Sequence, residues 1–197
     1  DINLINEGSR VRRKFIDSVI SQYDKQYLDS LINYNRALEQ RDSVLKYFAE
    51  SGKFDLNSLE IWDKQLIDSG KIIFKTRKKF LDGFIPVFQN YFQIISNGAE
   101  NVGLEYESQL KNQSFEKLLN NLLAADRAAQ RSTGGIHKDD LIFKLGEHPI
   151  KIFGSQGQMK SFLIALKLAQ FECIKEIKKL SPILLHDDIF DKQGIDI

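Results

Sequence analysis

The stretch that decides the fold runs Phe153-Gly154-Ser155-Gln156-Gly157-Gln158-Met159-Lys160-Ser161 and leads straight into an apolar helical pattern from Phe162 to Ile177. After a short break comes Pro182-Ile183-Leu184-Leu185-His186-Asp187-Asp188. The first part is a turn of small and amide residues that opens a helix. A helix start carries unsatisfied N–H groups and the positive end of the macrodipole, which together favour an anion. The second part is an apolar run too short for a core helix that ends in two adjacent carboxylates. A buried parallel strand delivers acids to the mouth of a sheet in this way. A phosphate-facing helix start followed by such a strand points to nucleotide and Mg2+ chemistry.

Upstream, Gly8-Ser9 precedes a long helical pattern with apolar residues at Phe15, Val19, Tyr23, Tyr27, Leu31, Tyr34, Leu38, Leu45 and Phe48, close to heptad spacing. Gly52 and Asn57-Ser58 interrupt it, with Ser58 expected as N-cap. A second pattern follows through Leu59, Trp62, Leu66, Ile73, Phe80, Phe84, Val87, Tyr91 and Ile94. Two such helices joined by a short polar connection predict an antiparallel hairpin, with these stripes, Trp62 and Phe80 included, packed in its core. Pro86 inside the second helix predicts a kink or a split. Asn97-Gly98 ends this arm. Gly103 to Glu107 alternates like a strand, Ser114 to Arg131 reads as a helix, and Leu141 to Phe153 reads as a β-hairpin about Gly146-Glu147-His148. The expected fold class is mixed α/β and helix-rich, with a helical arm at residues 1–97 and a mixed α/β piece at 98–197.

The chain has 197 residues, of which 42% are hydrophobic and 28% charged, so it can bury a core. Its net charge of +1 supplies no overall field toward nucleic acid, so any such contact must come from local patches. One cysteine, Cys173, excludes an internal disulfide and fits a reducing cytoplasm. No apolar run approaches the length of a membrane-spanning helix, and no signal-peptide pattern occurs. The chain starts at Asp1 and its single methionine is Met159, so it is expected to be a fragment of a longer protein.

Ser155-Gln156-Gly157-Gln158 resembles the S-x-G-Q signature motif of the RecF/SMC branch of ABC-type ATPases, and Ile183 to Asp188 resembles the Walker B strand that follows it. Further words resemble the RecF family of bacterial DNA replication and repair ATPases over nearly the whole chain. They are Arg12-Arg13-Lys14-Phe15-Ile16-Asp17, Tyr34 to Arg41, Gly134 to Leu141, and Ala165 to Gln170. The resemblance implies an ABC-type (P-loop NTPase) head with an inserted helical lobe, the arm corresponding to lobe II. It implies that Ser155, Gln156, Gly157 and Gln158 bind ATP held by an opposite subunit, with Ser155 and the Gly157 backbone on its γ-phosphate. Glycine at 157 lets backbone approach an anion, and Ser155 adds a hydroxyl donor. By the same resemblance Asp187 holds Mg2+ through water, and Asp188 is the catalytic carboxylate that orients or activates the attacking water. The intact protein is then expected to be a weak ATPase that dimerises on ATP, binds single- and double-stranded and gapped DNA, and helps load a recombinase. A RecR-type mediator is its expected partner, the bacterial cytoplasm and nucleoid its expected location, and the SOS response its setting. An SMC or Rad50-like head is the alternative family, but its arms are far longer. For the chain alone, a non-catalytic DNA or protein interaction module is the other alternative.

The chain also departs from the family pattern. His186 stands where an apolar residue is usual and is given no role. The Asp-x-Leu-Asp of the D-loop is altered or cut, since Asp191-Lys192 leads into Gln193 to Ile197. No G-x-x-x-x-G-K-[ST] phosphate cradle occurs. A helix start contributes roughly 0.3–1 kcal/mol to anion binding, about 2 when partly buried. Micromolar affinity needs about 8 kcal/mol. The chain alone is therefore expected neither to hold ATP usefully nor to hydrolyse it. His137 lies in a word where Ile136 and Lys138 replace the family's proline and arginine, and it reads as a locally satisfied residue in a turn before a strand. Basic clusters occur at Arg10-Arg12-Arg13-Lys14, Arg36 with Arg41, Lys71-Lys75-Arg77-Lys78-Lys79, and Lys175-Lys178-Lys179. Lys71, Lys75, Lys78 and Lys79 share one helical face suited to a phosphate backbone. The resemblance implies DNA contact at these lysines and at Arg12 and Arg13, while charge balance reads the same residues as solvated helix faces.

Overall fold

The computed structural model describes residues 2–179. A short turn of helix, α1 (Asn3–Asn6), precedes α2 (Ser9–Ile20), which buries Phe15, Ile16, Val19 and Ile20 on one side. The first long pattern is not one helix. It breaks over residues 21–24, and Asp24 caps a new helix, α3 (Lys25–Ser51), by accepting the Tyr27 backbone N–H at 2.8 Å. The stripe hides the break because Tyr27 keeps its place in the core on the far side of it. Gly52, at φ 68, ends α3 in the left-handed region that favours glycine.

A connection of residues 53–56 leads into α4 (Asn57–Ile95), which folds back along α3 as the hairpin expected from the sequence. Its start differs from that expectation. Ser58 lies inside the helix and donates its hydroxyl to Asp55, whose carboxylate also accepts the Asn57 N–H. Nor does Pro86 split α4, which runs through it. Phe80, Leu81 and Phe84 before the proline, and Phe88 and Phe92 after it, are all buried, so packing holds both halves against the loss of one helical hydrogen bond.

Past Asn97 and Gly98, at φ 50 and 73, β1 (Val102–Glu107) pairs antiparallel with β2 (Asp140–Leu145), Leu104 opposite Phe143. Between them lies α5 (Phe115–Ala129), capped by the Ser114 hydroxyl. The expected second arm of the hairpin shrinks to β3 (His148–Pro149). Pro149 has no N–H for the ladder, and the chain turns at once into α6 (Ile150–Phe153). The last element among the described residues is α7 (Gln156–Lys178), packed along the second half of α4. Phe162, two turns into α7, meets Phe88 of α4 at 4.8 Å and Phe143 of β2 at 5.1 Å between ring centroids. One contiguous apolar core runs through α2, α4, the sheet and α7, and a smaller cluster of Leu45, Phe48 and Leu59 closes the tip of the hairpin.

Candidate functional site

The anchoring of Phe162 fixes where α7 begins, and its start is a complete capping box. The Ser155 hydroxyl accepts the Gln158 N–H at 3.2 Å, and the Gln158 side-chain carbonyl accepts the Ser155 N–H at 2.6 Å. The Gln158 amide nitrogen donates to Glu100, tying the turn to the connection between α4 and β1. Of the four orphan donors at this end, two are thus satisfied, and the Gln156 and Gly157 N–H groups remain open. Ser155 still has its own hydroxyl hydrogen to give. Gly157 has no positive φ, and a Cβ built there meets nothing nearer than the Ser155 hydroxyl at 3.9 Å. An alanine would fit and would strengthen the helix by about 1 kcal/mol. Nothing inside the described chain requires that glycine. The expected Walker B residues, with His186, Asp187 and Asp188, and the expected D-loop region, Asp191 to Ile197, lie outside the described residues.

The expected DNA contacts fall into two groups with different surroundings. Arg12 is locked bidentately to Asp140, both N–O distances 2.8 Å, and also donates to the Glu7 carbonyl. Arg13 gives one hydrogen bond, 2.6 Å to the Asp139 carbonyl. On α4, Lys71 pairs with Glu116, while Lys75, Lys78 and Lys79 are exposed and make no ion pair among the described residues. Arg77, in the middle of that basic run, is 1% exposed and faces the other way.

No family model matches the chain. The DNA replication and repair protein RecF of Flavobacterium johnsoniae is 54% identical over 192 residues, 98% of this chain and 54% of the relative. The RecF of Phocaeicola vulgatus is 47% identical over 193 residues, 98% and 51% of the two chains. Among solved structures, the recombination mediator protein RecF with ATPrS in the RecFOR pathway superposes with a TM-score of 0.87 at 30% identity, covering 95% of this chain and 53% of that one. RecF with ATP gives 0.85 at 33% identity, covering 95% and 52%. The chain belongs to the RecF family. It spans about half the length of the curated relatives it matches.

In this RecF-family chain two of the words that carry the resemblance, Arg12 to Asp17 and Gly134 to Leu141, meet at a polar hub around the buried Arg77. Arg77 reaches Asp17 with two 3.0 Å bonds, the Ile136 carbonyl at 3.0 Å and Asp139 at 3.1 Å. Tyr27 donates to Asp17, and Tyr106 donates to Asp139. Burial pushes both tyrosine hydroxyls well above their usual range, and it also pushes the Asp139 carboxyl up, against hydrogen bonding from Tyr106 and the charge of Arg77. Arg41 makes a second hub, with Asp63 and Asp126 both at 2.6 Å and the Ser132 hydroxyl at 2.9 Å. Residue type alone places Arg41 and Arg77 in the basic clusters, where charge balance predicts solvated helix faces. The signal against this was position, since Arg77 falls off the face that the α4 lysines share and both sit on buried stripes.

His137 is satisfied, as expected, but by a residue far away in sequence as well as a near one. Its Nδ1 lies 2.8 Å from the Tyr34 hydroxyl, and its Nε2 lies 3.3 Å from the Ser132 carbonyl. A carbonyl can only accept, so Nε2 carries the proton and Nδ1 accepts from Tyr34. Burial lowers the imidazole from 6.5 to about 4, so the ring is neutral at physiological pH. Gly135, at φ 124, makes this approach possible, because a Cβ there would stand 2.5 Å from the Tyr34 hydroxyl. No group of three or more His, Cys, Asp or Glu residues forms a metal cluster among the described residues, and no helix among them is long and apolar enough to cross a membrane.

Proposed function

We propose that the protein carrying this chain is a DNA repair and recombination ATPase in which this chain supplies the signature half of a composite ATP site. The observation that carries the reading is the likeness, over 95% of the chain, to RecF solved with ATP. An exposed helix start keeps two free backbone donors beside a glycine that the fold itself does not need. Ser155, Gln156 and Gly157 face a γ-phosphate presented by an opposite subunit, with the Ser155 hydroxyl hydrogen and the open N–H groups as donors. Gln158 is a positioning residue, both ends of its amide being committed to holding the turn.

In the same reading Asp187 holds Mg2+ and Asp188 orients the attacking water. The head portion, 98–197, dimerises on ATP, and the arm, 1–97, grips gapped, single- or double-stranded DNA through the α4 lysines. A RecR-type mediator joins it on DNA in the bacterial cytoplasm. The arm helices of 27 and 39 residues are short, which favours a RecF-like over an SMC or Rad50-like architecture. Steady-state ATP hydrolysis by the intact protein tests the assignment. Turnover should fall to background when Ser155→Arg and Asp187→Asn are combined, and turnover that survives both changes overturns it.

A further inference from the structure

A cleft of about 550 Å3 opens between α2 and α3, away from the signature turn. Arg10, Arg13 and Lys14 of α2 form one wall, and Leu31 and Asn35 of α3 face them. Arg77, Ile136 and His137 form the floor. Arg10, Lys14, Asp17, Ser18 and Ser21 share this cleft because they repeat at helical spacing on the face of α2 opposite its buried stripe.

The charges here do not balance. Asp17, the one acid in the lining, is already engaged by Arg77 and Tyr27. Asp139 and Asp140, behind the floor, are engaged by Arg77 with Tyr106 and by Arg12. Arg10, Arg13 and Lys14 have no carboxylate at ion-pair distance among the described residues. Arg13 is half-buried with a single carbonyl as partner, and its desolvation and the nearby Arg77 charge both disfavour its charged form, against weaker support from the acids behind. A cation held this way is stabilised by an anion arriving in the cleft.

We propose that this cleft is a binding site for a phosphate group. Two guanidinium forks and an ammonium converge on it, and Ser21 and Asn35 add neutral donors, more than a carboxylate's two oxygens use but suited to a phosphate's. The volume exceeds that of a lone phosphate and admits one with its sugar attached. The phosphate comes from a nucleic-acid backbone or from a free anion. The first source rests on the nucleic-acid reading above, and the second does not.

The test compares the intact protein with the Arg10→Ala/Lys14→Ala double variant, both residues being exposed and outside the core. A Lys46→Ala/Lys117→Ala variant, equal in charge change and distant from the cleft lining, is the control. Affinity for a fluorescent single-stranded oligonucleotide is measured across a salt series, and inorganic pyrophosphate is titrated calorimetrically. Removing two phosphate contacts from a single strand lowers the log–log salt slope by about 1.4, which is about 25-fold in affinity near 0.1 M salt. Loss of oligonucleotide affinity on that scale, with the control unchanged, assigns the cleft to a nucleic-acid backbone. Loss of pyrophosphate heat alone assigns it to a free anion. A cleft variant that binds both like wild type, or a control that loses as much, overturns the proposal. ATP-driven dimerisation is followed on the same samples, so a wild type that fails to dimerise counts against the composite ATP site and leaves the cleft result standing.

Discussion

Lowering the pH should strip stability from this fold through one residue, His137. In the folded chain its ring is neutral, with Nε2 donating to Ser132 and Nδ1 accepting from Tyr34. Protonation would put a second N–H against the Tyr34 hydroxyl in a largely desolvated place where Lys138 and Arg13 also oppose positive charge, with the hydrogen bond to Ser132 and the charge of Asp42 on the other side. The imidazole is held at about 4 in the folded state against 6.5 when free. Between these values the unfolded chain binds more protons than the folded one, so stability is complete above about pH 6.5 and falls as the pH drops toward 4. At about 1.4 kcal/mol per pH unit, the loss is about 3 kcal/mol. His137→Gln keeps an acceptor for Tyr34 and a donor for Ser132 without a titrating ring. Urea unfolding of the two chains from pH 7 to pH 4 isolates the effect, because every other titrating group cancels in the difference. Wild type should lose about 3 kcal/mol that the variant does not. Parallel stability curves would refute the neutral ring.

Other predictions concern the hubs and the glycines. Arg77→Met leaves the buried Asp139 and the part-buried Asp17 without their cation, and the urea midpoint should fall by the equivalent of about 3–5 kcal/mol. Gly135→Ala forces a left-handed backbone and drives a Cβ onto Tyr34 and Phe115, costing about 2–5 kcal/mol in the same assay. Gly157→Ala should do the opposite, leaving the fold unharmed or up to about 1 kcal/mol more stable while weakening ATP-dependent dimerisation of the intact protein.

Much of this architecture was legible in the sequence because apolar periodicity and turn chemistry agreed. The hairpin, β1, α5 with its Ser114 cap, and the capping box of Ser155-x-x-Gln158 all have local causes. What was not legible depends on distant partners. The break before Asp24 is masked because the buried stripe continues across it. Continuity through Pro86 is decided by the phenylalanines on either side. The fate of the arginines is the clearest case. Residue type marks Arg12, Arg41 and Arg77 as candidate surface charge, and only the fold brings Asp140, Asp126 and Asp139, each far away along the chain, to meet them. At the signature turn the reverse holds. Its local geometry has causes within the turn itself, whereas the phosphate proposed to face it would come from outside the described residues.

The central claim is that the start of α7 completes an ATP site across a subunit interface. Light scattering of the intact protein with and without ATP, wild type against Ser155→Arg, tests it most directly. ATP should dimerise the wild type and leave the variant monomeric, since a long cation at the cap would fill the space left open for the phosphate. Equal dimerisation of the two proteins would contradict it and reduce the signature turn to an ordinary helix start.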